Sequence, residues 1–390
     1  MSYFQLIIII CVYLSPIINV LFTIPLLIVS LIKINKFSPF IIASTFALLS
    51  VFLKIPVDWD LSRHFELYST YHNGVSTTDV PYIGLHFVFS ILSLFNLSYH
   101  AIPFLFSFIL YFYLSKIYLL SIEDKNNSFL YNTVILFSFL LSVPIILFTG
   151  LRFSTGIILF IYGIVINSNS KIKSNFYLLL SLIFHYSLLV PIILWFICIL
   201  LSKYKIRKNT VFLLSALSLV ISYYIAPILE LVYSLIDGAI SHYYNSISSL
   251  NYYLSGKWGL GYIEQLNSSG LLIFNLRLYF FILIGFLFIH SINKNKIDNI
   301  AILFSCFITI LCFILSSFSE LFVRYSYIAI ILIYYCSLKG ESNINNKVKI
   351  INLLIPIYII YQQSYYGFFA MRYVFCDSFS DLTLLKYSSL

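Results

Sequence analysis

The chain has 390 residues, of which 61% are hydrophobic and only 9% charged, and it carries a formal net charge of +9. Soluble domains average about 25% charged residues, so a water-soluble enzyme with a single anchor is excluded, and no polar stretch is long enough for a separate aqueous domain. In a soluble protein the basic excess would suggest nucleic acid; here it reads as lysines held on one side of a membrane, and no nucleic-acid partner is expected.

Apolar runs long enough to cross a bilayer recur along the chain. They fall at 4–32, 39–55, 99–120, 128–148, 153–167, 209–230, 271–290, 299–318, 322–338 and 350–366. Segments 81–97, 175–185 and 187–201 have a helical pattern but are short for full crossings. In the first run, Phe4 to Ile32, no Lys or Arg precedes Lys33, so a retained span is expected rather than a signal peptide. The expected fold is an all-α integral membrane protein, a polytopic bundle of roughly 10–13 membrane helices, some short or re-entrant. It is expected as one domain over 1–390, with longer outer loops at 56–80 and 231–270.

Lysine clusters set the sidedness. Lys33 and Lys36, Lys116 and Lys125, Lys171 and Lys173, the Lys203–Lys208 run, Lys294 and Lys296, and Lys339, Lys347 and Lys349 are expected on the cytoplasmic side. That requires 175–201 to enter and return with a turn near His185 and Tyr186, and it places the N-terminus outside. Arg63, Arg152, Arg277, Arg324 and Arg372 then fall outside or in the outer leaflet, and Arg207 alone falls inside. Arginine suits planar, bidentate recognition of phosphate, so its gathering on one side points to an anionic ligand there.

The densest polar cluster opens the first outer loop: Asp58-Trp59-Asp60-Leu61-Ser62-Arg63-His64-Phe65-Glu66. Its carboxylates suit proton abstraction and its guanidinium suits phosphate. If helical, it places Asp60 and His64 on one face, and Arg63 with Glu66 or Leu67. Arg152 opens an apolar run, with Gly156 and Gly163 leaving a smooth face for close approach of a helix or a lipid-linked ligand. His185 stands between apolar stretches, with Ser181 or Ser187 as partners for its ring. Glu320 precedes Arg324 at the favourable i,i+4 spacing of a helical ion pair, and Arg277 sits near the start of another span. The aromatic and polar residues around Gly256, Trp258, Gly259, Gly261 and Glu264 in the second outer loop suit sugar stacking or an interfacial aromatic belt.

No GxxxxGK[ST], HExxH or Gly-x-Ser-x-Gly occurs, and there is no CxxC or Cys/His cluster. No metal site and no cofactor are expected. Asp58-Trp59-Asp60 has the Asp-x-Asp spacing of enzymes using nucleotide sugars, but the topology places it outside, where such sugars are not available.

Four features together resemble the bacterial Wzy/EpsG-type polysaccharide polymerases. They are Asp60-Leu61-Ser62-Arg63-His64-Phe65 in an acidic, aromatic first outer loop, Arg152 opening a span, Phe184-His185-Tyr186-Ser187 after a lysine-bearing turn, and Arg324-Tyr325 opening a late span. The ordered set covers residues 40 to 340. The resemblance implies an enzyme of the bacterial cytoplasmic (inner) membrane that joins polyprenyl-diphosphate-linked oligosaccharide repeat units at its outer face, as in O-antigen or capsule biosynthesis. Its partners would be the lipid-linked oligosaccharide, the bilayer, and a chain-length regulator and flippase of the same pathway. Asp60 is expected first as the base that activates the acceptor hydroxyl, with His185 and Glu66 as the other catalytic candidates. Arg63, His64, Arg152, Arg277, Arg324 and Tyr325 are expected to bind substrate. The alternatives are a lipid-linked oligosaccharide flippase, an O-antigen ligase or a membrane acyltransferase. A flippase should show two similar halves and polar residues at mid-membrane; no halves are visible, and the charges gather at the outer edge.

Overall fold

The computed structural model describes residues 37–51, 60–72, 83–122, 129–143, 151–240, 266–292, 296–297, 299–339 and 346–371. These form thirteen α-helices with two short 3-10 turns and one two-residue strand pair, an all-α membrane protein. Two compact units are present: residues 1–189 with 360–390, and residues 190–359.

The first unit contains α1 (Ser38–Val51), α2 (Asp60–His72), α3 (Ile83–Leu94), α4 (Ala101–Ile122), α5 (Phe129–Leu141), α6 (Leu151–Val165) and α7 (Lys171–Phe184). The 3-10 turn Tyr186–Leu188 follows α7. α1 packs along α4, α4 against α6, and α6 against α7. Helices in lipid associate through close packing, because lipid tails are as apolar as leucine. Gly156 and Gly163 permit that closeness. A Cβ at Gly156 would meet Leu188 Cδ1 at 2.8 Å, and His185 Cβ and the Ser181 carbonyl at 3.3 Å. At Gly163 it would meet the Ser174 carbonyl at 3.1 Å. The smooth face expected to admit a helix or a ligand is thus covered by α7 and the turn after it. Hydroxyls within the helices return to the carbonyls of the preceding turn, as in Ser115 to Tyr111 at 2.8 Å and Ser138 to Val134 at 2.8 Å, which satisfies them without water.

The described part of the segment expected as the first outer loop, residues 60–72, is helical. α2 is amphipathic: Leu61, His64 and Tyr68 are buried, whereas Arg63, Glu66 and Ser69 are exposed. Leu61 and Tyr68 join Leu85, Val88, Phe89, Ile102, Phe106 and Leu151 in one core. The Tyr68 hydroxyl donates to the Leu97 carbonyl at 2.7 Å. α2 is therefore seated on α3, α4 and the start of α6.

The second unit holds α8 (Leu189–Ser202, from Val190 onward), α9 (Lys208–Ile240), α10 (Ser268–Ser291), α11 (Ile300–Ile314), α12 (Ser319–Lys339) and most of α13 (Asn346–Met371). α11 packs against α12 and α9. Asn267 caps α10 by accepting from Gly270 N at 2.8 Å, and Asn299 caps α11 by accepting from Ala301 N at 2.9 Å. β1 (Ile206–Arg207) pairs antiparallel with β2 (Lys296–Ile297). Beside it Lys208 Nζ donates to the Ile292 carbonyl at 2.7 Å, where the negative end of α10 favours a cation.

Among the described residues, five helical stretches are long and apolar enough to cross a membrane: 101–122, 208–225, 270–291, 300–317 and 319–339. Among the described residues, three runs expected as full spans form helices of fewer than 18 residues: α1 with 14, α5 with 13, and α6 with 15, as long as the run expected at 153–167. The long loop expected at 231–270 loses both ends to helix, since α9 continues to Ile240 and α10 begins at Ser268. Residues 4–32, Asp58, Trp59, Arg372 and the Gly256–Glu264 stretch lie outside the described residues.

The α6–α7 contact generates a stability prediction. Gly163→Leu places a side chain against a backbone carbonyl rather than a yielding side chain, and should cost about 1–3 kcal/mol as overpacking does. Thermal unfolding in detergent should show a lowered Tm; an unchanged Tm would mean that α7 moves away at no cost.

Candidate functional site

Asp60 occupies the first turn of α2, where a carboxylate suits the positive end of the helix dipole. The helical period then aims residues three and four positions later back at it. Arg63 Nη2 lies 3.3 Å from Asp60 Oδ1, and His64 Nε2 lies 3.3 Å from Oδ2. Arg152, in the first turn of α6, brings Nη2 to 3.6 Å from the same Oδ2. Two arginines and a histidine thus converge on one carboxylate. The four are unequally covered: the Arg63 side chain is 66% exposed, Asp60 32%, Arg152 14% and His64 4%.

This convergence fixes the ionisation of Asp60. Its burial alone would raise the proton affinity. The hydrogen bond and charge of His64, with the charges of Arg152 and Arg63, outweigh burial and hold the carboxyl well below the usual carboxylate range. A carboxylate so stabilised is a weak base.

His185, which follows α7, packs against α6 at Phe153 and Gly156, close in sequence to Arg152. Its ring meets Phe153 edge to face at 5.0 Å between centroids, and its Cβ lies against Gly156. The backbone N–H of His185 donates to the Ser181 carbonyl at 3.0 Å and ends α7. Its Nδ1 accepts from the Ser187 backbone N–H at 3.3 Å and lies 2.7 Å from Ser187 Oγ. Both serines expected near His185 are used, Ser187 by the ring and Ser181 by the backbone.

Glu66 is exposed on α2, and no ion pair joins it to the cluster among the described residues. Arg63 turns back to Asp60 rather than forward to Glu66. Arg63 and His64 thus both orient the Asp60 carboxylate, whereas the alternative pairing of Arg63 with Glu66 is not made.

In the second unit, Arg324 Nε donates to Glu320 Oε1 at 2.8 Å within the first turns of α12, the pair that the i,i+4 spacing predicts. Tyr325 is buried. Arg277, buried on α10, donates from Nε to the Tyr358 hydroxyl at 3.4 Å, and its guanidinium lies 5.5 Å from the centre of the Tyr327 ring. Sequence reasoning missed both tyrosines. Only their membership of apolar runs was visible, and 33 tyrosines compete for that signal. No group of three or more His, Cys, Asp or Glu side chains that could hold a metal ion occurs among the described residues.

The EpsG family model matches residues 35–388, nearly the whole chain. No curated protein and no solved structure matches. The chain belongs to the EpsG family, and it is a multi-pass membrane protein of the polysaccharide-polymerase type.

The depressed Asp60 ionisation has a stability consequence with a definite sign. A carboxyl whose folded pKa lies below its unfolded value of about 3.9 stabilises the fold fully above that value and loses the contribution as pH falls beneath it. The Tm advantage of wild type over Asp60→Asn should therefore be constant above about pH 5 and shrink below about pH 4. Paired thermal melts from pH 3 to pH 8 check this; an advantage already gone at pH 5 would contradict the cluster.

Proposed function

We propose that this chain joins polyprenyl-diphosphate-linked oligosaccharide repeat units at the outer face of the bacterial cytoplasmic membrane. The observation that carries the reading is the convergence of Arg63 and Arg152 on Asp60, with Arg152 opening an apolar helix. The reaction forms a glycosidic bond between an acceptor hydroxyl oxygen and the anomeric carbon of the donor glycan. The bond from that carbon to the diphosphate oxygen breaks, and polyprenyl diphosphate departs with the electron pair. Negative charge grows on the departing oxygen, so donors aimed at it stabilise the transition state more than the ground state.

Each guanidinium offers five N–H donors in a fixed fork, more between two arginines than one carboxylate accepts. Asp60 in this reading is the anchor that holds the two forks side by side. Arg152 adds its charge to the positive end of α6, the end of a helix that favours phosphate. His185, with Nδ1 accepting the Ser187 N–H, carries its neutral-state proton on Nε2 and serves as a further donor to phosphate or sugar. Arg277 and Arg324 with Tyr325 are assigned a secondary place in substrate binding, since Arg324 is held by Glu320 one turn away. An O-antigen, a capsule or another surface glycan would all be made by this chemistry.

A strain lacking the protein should accumulate single repeat units on lipid. Loss of all surface units would instead indicate a flippase, and intact polymer would overturn the reading. Restoring the gene with Arg152→Lys should leave polymerisation on the order of 100–1,000-fold slower, because an ammonium cannot reproduce the two-pronged contact. Chain-length gels at equal protein level read this out; wild-type chain lengths from Arg152→Lys would remove Arg152 from the site.

A further inference from the structure

We propose that His64, held in orientation by Asp60, is the base that takes the proton from the acceptor hydroxyl. This assignment rests on the polymerase reading given above. It follows from comparing what each candidate base can still accept.

Asp60 faces three cationic or N–H-bearing groups, from Arg63 and His64 on its own helix and from Arg152 on α6. Its oxygens are committed to holding them. His185 receives the Ser187 N–H on Nδ1, so its other nitrogen bears the proton and donates. Glu66 is exposed and apart from the cluster.

His64 differs from all three. Asp60 has only lone pairs to offer when ionised, so the His64 nitrogen facing it, Nε2, is the one that bears a proton. The 3.3 Å separation is long for a hydrogen bond, as catalytic contacts often are before substrate tightens them. The basic lone pair is then on Nδ1. Both ring nitrogens are buried and neither makes a hydrogen bond among the described residues, but Nε2 faces the Asp60 carboxylate and Nδ1 is the nitrogen on the other side of the ring. A buried polar atom without a partner is a cost that packing alone does not repay, whereas a hydroxyl seated against it supplies the partner. A base within hydrogen-bond reach of its nucleophile and oriented by a third group is the general arrangement for activating a hydroxyl.

The step balances. The acceptor proton passes to Nδ1, and the acceptor oxygen attacks the anomeric carbon. The carbon–oxygen bond to diphosphate breaks, and the electron pair leaves on the diphosphate beside Arg152. The imidazolium returns its proton to water once the product has left. Arg152 and His64 meet the same Asp60 oxygen, so leaving-group stabilisation and proton abstraction share one anchor. The residue as a whole is 3% exposed, so the base has little contact with bulk water.

The test uses the full chain in detergent with lipid-linked repeat units extracted from the deletion strain. His64→Gln retains a nitrogen near the Nε2 position, and with it the contact to Asp60, but has no basic Nδ1. It should polymerise about 100–10,000-fold more slowly, with unchanged Tm and unchanged affinity for farnesyl diphosphate as a probe of diphosphate binding. Added imidazole should restore part of the activity of His64→Ala, a response that a packing role does not produce. A His64→Gln rate within tenfold of wild type, or a folded His64→Ala that imidazole leaves inactive, would overturn the assignment. If the wild-type protein itself formed no polymer from these units, the polymerase reading would fall and this assignment with it, so the wild-type lane separates the two failures.

Discussion

One carboxylate joins two helices that lie far apart in sequence. Asp60 on α2 meets Arg152 on α6 at 3.6 Å while also holding Arg63 and His64 on its own helix. Arg152 needs such a partner. A guanidinium in the first turn of a helix faces the positive end of the dipole, and a side chain only 14% exposed has lost much of its water. Without Asp60 the start of α6 would carry a poorly solvated cation at its least favourable end. Asp60, set across the start of α6, meets that requirement.

Apolar packing brings the two charges into register. Leu61 and Tyr68 press α2 onto the core shared by α3, α4 and Leu151, the residue next to Arg152. Gly156 and Gly163 let α7 lie close along α6, which carries His185 to the ring of Phe153. The geometry of the polar cluster is therefore inherited from contacts that involve no charge. Catalytic groups displaced by about 1 Å can cost on the order of 100-fold in rate, so the small residues of α6 matter to the chemistry although none of them touches a substrate.

Much of this was legible in the sequence, in proportion to how local each signal is. The apolar runs at 99–120, 271–290 and 322–338 became α4, α10 and α12 with ends moved by a few residues. The Asp60–His64 and Glu320–Arg324 spacings became contacts because the helical period alone decides them. The stretch from Asp60 to His72 read as loop because its charges drew notice, yet Leu61, Phe65 and Tyr68 already carried an i, i+4, i+7 stripe. The Gly face of α6 was visible but not its occupant, since period and composition say where a helix can be approached and not by what. The Asp60–Arg152 contact and the tyrosines around Arg277 were out of reach, because tertiary packing sets them and a single sequence holds no record of it.

The contrast between the two ion pairs bears on function. Glu320 and Arg324 are one turn apart on a single helix, and such a pair adds about 0.2–0.5 kcal/mol to a helix whatever else the protein does. Its geometry would survive in an isolated α12. Asp60 and Arg152 meet only when the first unit has folded, and both must give up water to do so, an expense that an ion pair often fails to recover in stability. A pair of this second kind is a poor investment for holding helices together, which Leu61, Tyr68 and the α6 glycines already do. Its return lies in orientation: it sets a guanidinium and an imidazole at fixed positions around one oxygen, where a flexible arginine and a lone histidine would wander. Fixed donors and a fixed base act without reorganising when charge moves between acceptor and leaving group, and that is the requirement that glycosyl transfer to a sugar hydroxyl places on its site.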